Sequence, residues 1–170
     1  NELEKTAFDA AENQFLSDKK KQSEKSFLSY LASYPEGQNA LTTRFYLAEI
    51  YFEEEDWTNA LKYYGEIIDF ELNEYSEKAL VRATQIFVNQ EQQGKAIPLW
   101  EQLDKVALHE ENKRYAQFNL MKAYYEQNSY DQAILLAENI LAFDNLDAKV
   151  KWDAQEIIAH GALKIGDSLK

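Results

Sequence analysis

Few side chains in this 170-residue chain are equipped for covalent or acid–base chemistry. It has no Cys, which excludes a disulfide framework, a thiolate metal site and a Cys nucleophile. Its two histidines, His109 and His160, stand 51 residues apart. His109-Glu110-Glu111-Asn112 lacks the second His that a zinc-binding helix motif needs. His160 precedes Gly161, a placing expected near a helix end, where a cationic side chain suits the helix dipole. There is no Gly-rich phosphate loop, no Gly-x-Ser-x-Gly elbow and no plausible triad. Carboxylates are plentiful, and Glu53-Glu54-Glu55-Asp56 is their densest run. Without the spacing of a calcium loop, it reads as a solvated helix end with an N-cap. The sharper alternative is a docking point for a basic segment. Lys19-Lys20-Lys21 reads as an exposed turn leading into a helix. This inventory argues against an enzyme and calls for no cofactor or metal. What remains is recognition by aromatic and charged side chains.

The charge balance narrows the partner. Thirty acidic residues against 18 basic ones give a net charge of −12. That opposes nucleic acid and anionic membranes, which need Lys and Arg to replace their counterions. The charge is concentrated: from Glu36 to Glu77 there are 11 acidic residues and only Arg44 and Lys62 as bases. No apolar run approaches the roughly 18 residues of a membrane span, so direct insertion is not expected. The chain begins at Asn1 without Met or a signal sequence, and so reads as a processed protein or an excised domain.

The elements that must carry these side chains are helices. Hydrophobic content is 45% and aromatic content 14%, with 5 Gly and 2 Pro, which suits continuous helix with short connections. A block recurs along the chain. Its cleanest copies run Phe45-Tyr46-Leu47-Ala48-Glu49-Ile50-Tyr51-Phe52 and Phe118-Asn119-Leu120-Met121-Lys122-Ala123-Tyr124-Tyr125. Aligning Ala11, Ala48, Thr84 and Met121 gives spacings of 37, 36 and 37, and Ser23, Ala60, Ala96 and Ala133 give the same series. Such a fixed period predicts stacked supersecondary units. Apolar residues at i, i+3, i+4 and i+7 make each unit two amphipathic helices. Small Ala48 and Ala60 let the pair approach, with Tyr51 and Tyr64 filling the space beside them. Asp56 is placed to N-cap the helix from Trp57. Ser129-Tyr130-Asp131-Gln132 has the form of a capping box, and Asn128 suits a left-handed turn. Pro98 falls in a first turn if its helix starts near Gly94.

The stretch Leu120-Met121-Lys122-Ala123-Tyr124-Tyr125-x-x-Asn128-x-Tyr130-Asp131-x-Ala133-Ile134 resembles the tetratricopeptide repeat (TPR). The resemblance implies an all-α, right-handed α-α superhelix, a solenoid formed as a single domain. It has about four helix-turn-helix repeats, near 4–37, 41–74, 77–110 and 114–147, with a closing helix over 148–165. The chain departs from the family in its 36–37-residue period against 34, in keeping only Pro35 of the pair-ending prolines, and in replacing the turn Gly by Asp18, Glu55, Glu91 and Asn128. Longer repeats with a Tyr-Pro linker and an aromatic-Leu-Ala-Glu helix are similar to bacterial cell-envelope TPR proteins, of the Tol-Pal accessory and outer-membrane-assembly lipoprotein type. That narrower likeness implies a periplasmic setting; without it the expectation is cytoplasmic.

The resemblance also implies a concave binding face lined by the first helix of each pair. The matching positions are Phe8, Glu12 and Phe15; Phe45, Glu49, Phe52 and Glu53; Gln85 and Asn89; Phe118, Lys122, Tyr125 and Glu126; and Trp152. Their fifth and twelfth positions form two apolar stripes, which are either a groove for apolar anchors or packing between successive helices. The expected function is a non-catalytic scaffold for a protein or peptide segment with basic and apolar residues. The alternative is a structural spacer, or a self-associating segment of a longer array.

Overall fold

The computed structural model describes residues 2–168. Among them are nine α-helices, in the order α1 Glu2–Leu16, α2 Lys20–Ser33, α3 Ala40–Glu53, α4 Trp57–Ile68, α5 Ser76–Asn89, α6 Gln93–Val106, α7 Glu110–Glu126, α8 Tyr130–Leu141 and α9 Ala148–Ser168. The chain divides into two compact units, Asn1–Ile86 and Phe87–Lys170. The fold is an all-α helical repeat. In the first unit α1 packs on α2, α2 on α3 and α3 on α4; in the second, α6 packs on α7, α7 on α8, and α9 on both α8 and α7.

The period seen in the sequence reappears in backbone geometry. Asp18, Glu55, Glu91 and Asn128 hold φ of 57°, 57°, 56° and 61°. At each, the residue's own N–H bonds a carbonyl three back and the next N–H bonds one five back: Glu55 to Phe52, Asp56 to Tyr51; Asn128 to Tyr125, Ser129 to Tyr124. This is the Schellman closure that satisfies the orphan carbonyls of a helix end. Every hairpin thus turns through the same left-handed residue, none of them a glycine.

Each core is built on small residues at the helix contacts. Ala11, Ala48 and Ala60 in the first unit, and Ala96, Ala133 and Ala137 in the second, are wholly buried. Around them lie Phe27, Tyr30, Leu47, Ile50, Tyr64 and Ile67 in one unit, and Trp100, Leu103, Met121 and Ile140 in the other. Asp56 caps α4 as expected, its carboxylate accepting from the Asn59 N–H at 3.1 Å.

Three local expectations are corrected. Ser129 occupies the N-cap of α8 but makes no side-chain capping bond, unlike Asp56 at the same place in the repeat. Pro98 lies inside α6, whose start at Gln93 puts the ring in the second turn. His160 is well inside α9, which runs on to Ser168 because Gly161 is buried against Ile134 of α8 and serves as a close helix contact instead of a stop.

Candidate functional site

In the first unit the expected face closes on itself. Phe8 is 6% exposed, packed among Phe27, Tyr30 and Tyr46. Phe15 sits 4.7 Å from the Tyr46 ring, and Glu12 accepts the Tyr46 hydroxyl at 2.9 Å. Phe45 stacks on Tyr75 of the next link at 4.5 Å. Phe52 meets Trp57 and Tyr64 edge-on, with the Arg82 guanidinium 4.3 Å over its ring. Arg82 also donates to Gln85 at 3.3 Å. Glu49 is the hub: it accepts the Tyr64 hydroxyl at 2.5 Å and lies 2.7 Å from Lys78 Nζ and 3.6 Å from Arg82 Nε. Burial, together with that carboxylate, pushes the Tyr64 phenol far above its ordinary range. Glu53 pairs with Lys20 at 2.5 Å, and the carboxylate raises the lysine's pKa. The stripe aromatics here lie against one another and against successive helices, and Glu49 and Glu53 already hold cations from this chain.

In the second unit the same positions frame open space. α7 and α9 lie side by side, joined through α8, and two cavities follow one another along α7. The first, of 370 Å³, is floored by Tyr115, Phe118, Ile140, Leu146 and Val150, with Glu111, Arg114, Asn145 and Asp147 around them. The second, of 310 Å³, is lined by Lys122, Tyr125, Glu126, Lys149, Asp153, Glu156, Ile157 and His160. Lys149 donates to Asp153 at 2.8 Å, and that carboxylate raises the lysine's pKa. The Lys122 ammonium is 5.4 Å from the Phe118 ring centroid, and His160 Nδ1 is 3.9 Å from Glu156. Tyr125 rests edge-on against Tyr130.

The structure therefore brings together Phe118, Lys122, Tyr125 and Glu126. Asn89 is exposed at the end of α5, and Trp152 is 64% exposed and lines neither cavity. Sequence reasoning missed Asp153, Ile157 and His160 on α9, and Leu146 and Val150 at its entry. The signal was there: Lys149, Asp153, Glu156 and His160 recur at i, i+4, i+7 and i+11, one face of a helix. Among the described residues no group of three or more His, Asp or Glu is placed to hold a metal ion, and no helix is long and apolar enough to cross a membrane.

The tetratricopeptide repeat family matches residues 43–69. That match spans most of α3 and all of α4. Among solved structures, YrrB, described as a TPR protein with an unusual peptide-binding site, is similar at a TM-score of 0.66 and 14% identity, over 91% of this chain and 75% of that one. The MamA RS-1 ArsTM double mutant is similar at 0.64 and 13% identity, over 100% of this chain and 98% of that one. At such identities the likeness is one of fold. Among curated proteins nothing matches. The chain shares the TPR fold, and the fold class expected from the repeats holds.

Proposed function

We propose that this chain is a non-catalytic interaction scaffold that holds a peptide segment in the groove between α7 and α9. One observation carries the reading: an apolar cavity and a charged cavity lie in tandem over Tyr115–Glu126. At about 1.5 Å of rise per residue that stretch is roughly 16 Å long, room for about five extended residues. The Phe118 cavity takes an apolar anchor, and a few such buried contacts dominate interface energy. Glu126, Asp153 and Glu156 outnumber Lys122 and Lys149, which favours basic neighbours to that anchor. YrrB, the fold neighbour described by its peptide-binding site, supports peptide as the ligand class. The test is calorimetry with basic, apolar-anchored peptides selected on the immobilised protein. Phe118→Ala should weaken binding at least tenfold at unchanged melting temperature, and Glu156→Lys should weaken it and flatten its salt dependence. Equal affinity in all three proteins would refute the groove.

A second reading, self-association of a repeat array, is favoured by Trp152 and Leu163, 64% and 66% exposed on α9. Sedimentation over a hundredfold concentration range tests it, a single monomeric mass counting against it. The long period and the Tyr34-Pro35 link support a setting in the bacterial cell envelope, which fractionation of a cell that carries the protein would check.

A further inference from the structure

Tyr51 on α3 and Tyr124 on α7 are equivalent, two periods apart. Each donates its hydroxyl to a glutamate on the preceding helix: Tyr51 to Glu24 at 2.8 Å, Tyr124 to Glu101 at 2.5 Å. The second acceptor stands one turn further along its helix. The two sites differ in what covers the phenol. Tyr63 of α4 lies parallel to the Tyr51 ring, centroids 5.9 Å apart and planes inclined by 4°. The residue at the place of Tyr63 in the second unit is Leu136. With the shorter side chain the space stays open as a cavity of 260 Å³, bounded by Leu120, Tyr124 and Leu136, with Glu101, Asp104 and Lys105 as its charged lining. Leu135, beside it, is 59% exposed.

This cavity is separate from the groove above. At 100° per residue, Leu120 and Tyr124 lie on the side of α7 opposite Phe118, Lys122 and Tyr125. Its volume falls below the ~300–1,000 Å³ of drug-sized ligand pockets and suits a single side chain.

We propose that the α6–α7–α8 cavity is a second docking site, and that its occupant is an aromatic side chain on a basic segment of a partner protein. The first unit supplies the template: a ring parallel to the phenol at this place in the repeat is what Tyr63 already provides. A partner's ring takes the corresponding position over Tyr124, and parallel aromatic pairs gain beyond the area they bury. Glu101 and Asp104 outweigh Lys105, so Lys or Arg beside the ring complements the site.

The probe is the peptide acetyl-Lys-Tyr-Lys-amide, followed by amide chemical shifts of the labelled full chain. Saturable shifts should centre on Leu120, Tyr124 and Leu135. Acetyl-Lys-Ala-Lys-amide should bind about tenfold more weakly, the equivalent of about 1.4 kcal/mol. Leu136→Tyr and Leu136→Phe supply the missing ring from within, and both should lose the response while keeping the helical circular dichroism. Shifts of equal size with the alanine peptide would reduce the effect to charge and overturn the proposal. Shifts that persist in a folded Leu136→Phe protein would overturn it too. Dimerisation of the wild type that Leu136→Tyr abolishes would make a second copy the occupant, again against it.

Discussion

The turn residue of each hairpin shows how a side chain can be wrong for its place and still be tolerated. A non-glycine residue in the left-handed region brings Cβ against the following carbonyl, at roughly 1–2 kcal/mol. Asp18, Glu55, Glu91 and Asn128 all sit there, because the two Schellman hydrogen bonds at each turn fix the backbone regardless of side chain. Glycine would relieve the contact but lose more entropy on folding, so the net gain is smaller than the relief. Glu55→Gly and Glu91→Gly should each stabilise the protein by about 0.5–1 kcal/mol in urea unfolding. Asn128→Gly should gain only a few tenths, since Asn already tolerates this conformation. A loss at Glu55 would show that its side chain contributes more than its backbone costs. The positions themselves were legible in the sequence as the places where the repeat replaces its turn Gly. The left-handed φ was legible at Asn128, which tolerates it, but not at Glu55 and Glu91, because Glu carries no preference for that region.

Between elements, the recurring device is a phenol that donates a hydrogen bond to a glutamate on another helix. Tyr30 bonds Glu4 of α1, Tyr46 bonds Glu12 of α1, Tyr51 bonds Glu24 of α2, Tyr64 bonds Glu49 of α3 and Tyr124 bonds Glu101 of α6. Burial, then the carboxylate's hydrogen bond, pushes Tyr30, Tyr46 and Tyr124 up to about 12, against 10 for a free phenol. The sign follows from linkage. The folded state holds these protons more tightly, so above pH 10 the unfolded chain binds fewer of them and stability falls with rising pH. The contribution is complete below pH 10 and is lost between about pH 10 and 12. Urea midpoints should be level from about pH 8 to 9.5 and drop steeply beyond 10, and Tyr46→Phe with Tyr124→Phe should shallow that drop. A midpoint flat to about pH 11.5 would contradict the assignment. The helices and their pairing could be read from the 37, 36, 37 spacing, since a period-3.6 apolar stripe has few alternatives. The phenol–glutamate bonds could not, because the acceptor shifts by a full turn between Glu24 and Glu101 while the repeat anchors stay in register.

At the scale of the whole molecule, charge is the property least well described by residue lists. In sequence Glu49 and Glu53 belong to the expected concave face and to the acidic stretch from Glu36 to Glu77; Lys78, Arg82 and Lys20, from outside that stretch, fold back onto them. Spatial partners far along the chain cannot be seen in a local charge count, so these pairings were not legible, whereas Phe118, Lys122, Tyr125 and Glu126 share one helix and could be placed together from the sequence. The net charge of −12 survives these pairings. Self-repulsion on that scale opposes the compact state. Salt acts on attraction and repulsion alike. It weakens ion pairs such as Lys20–Glu53 and Lys149–Asp153, whose lysines are 42% and 75% exposed. Such surface pairs are worth about 0–1 kcal/mol each. It also cuts the Debye length from about 30 Å at 0.01 M to about 10 Å at 0.1 M, which screens repulsion among carboxylates spread over the surface. With thirty acidic residues against 18 basic ones, repulsion outweighs the attraction of these pairs. The urea midpoint at about pH 7.5 should therefore rise between about 10 mM and 300 mM sodium chloride, with most of the gain below about 100 mM. Chloride is the salt to use, because sulfate strengthens apolar burial by exclusion and would blur the two causes. A midpoint that falls over this range would mean that the ion pairs hold the fold together more than the excess charge pushes it apart.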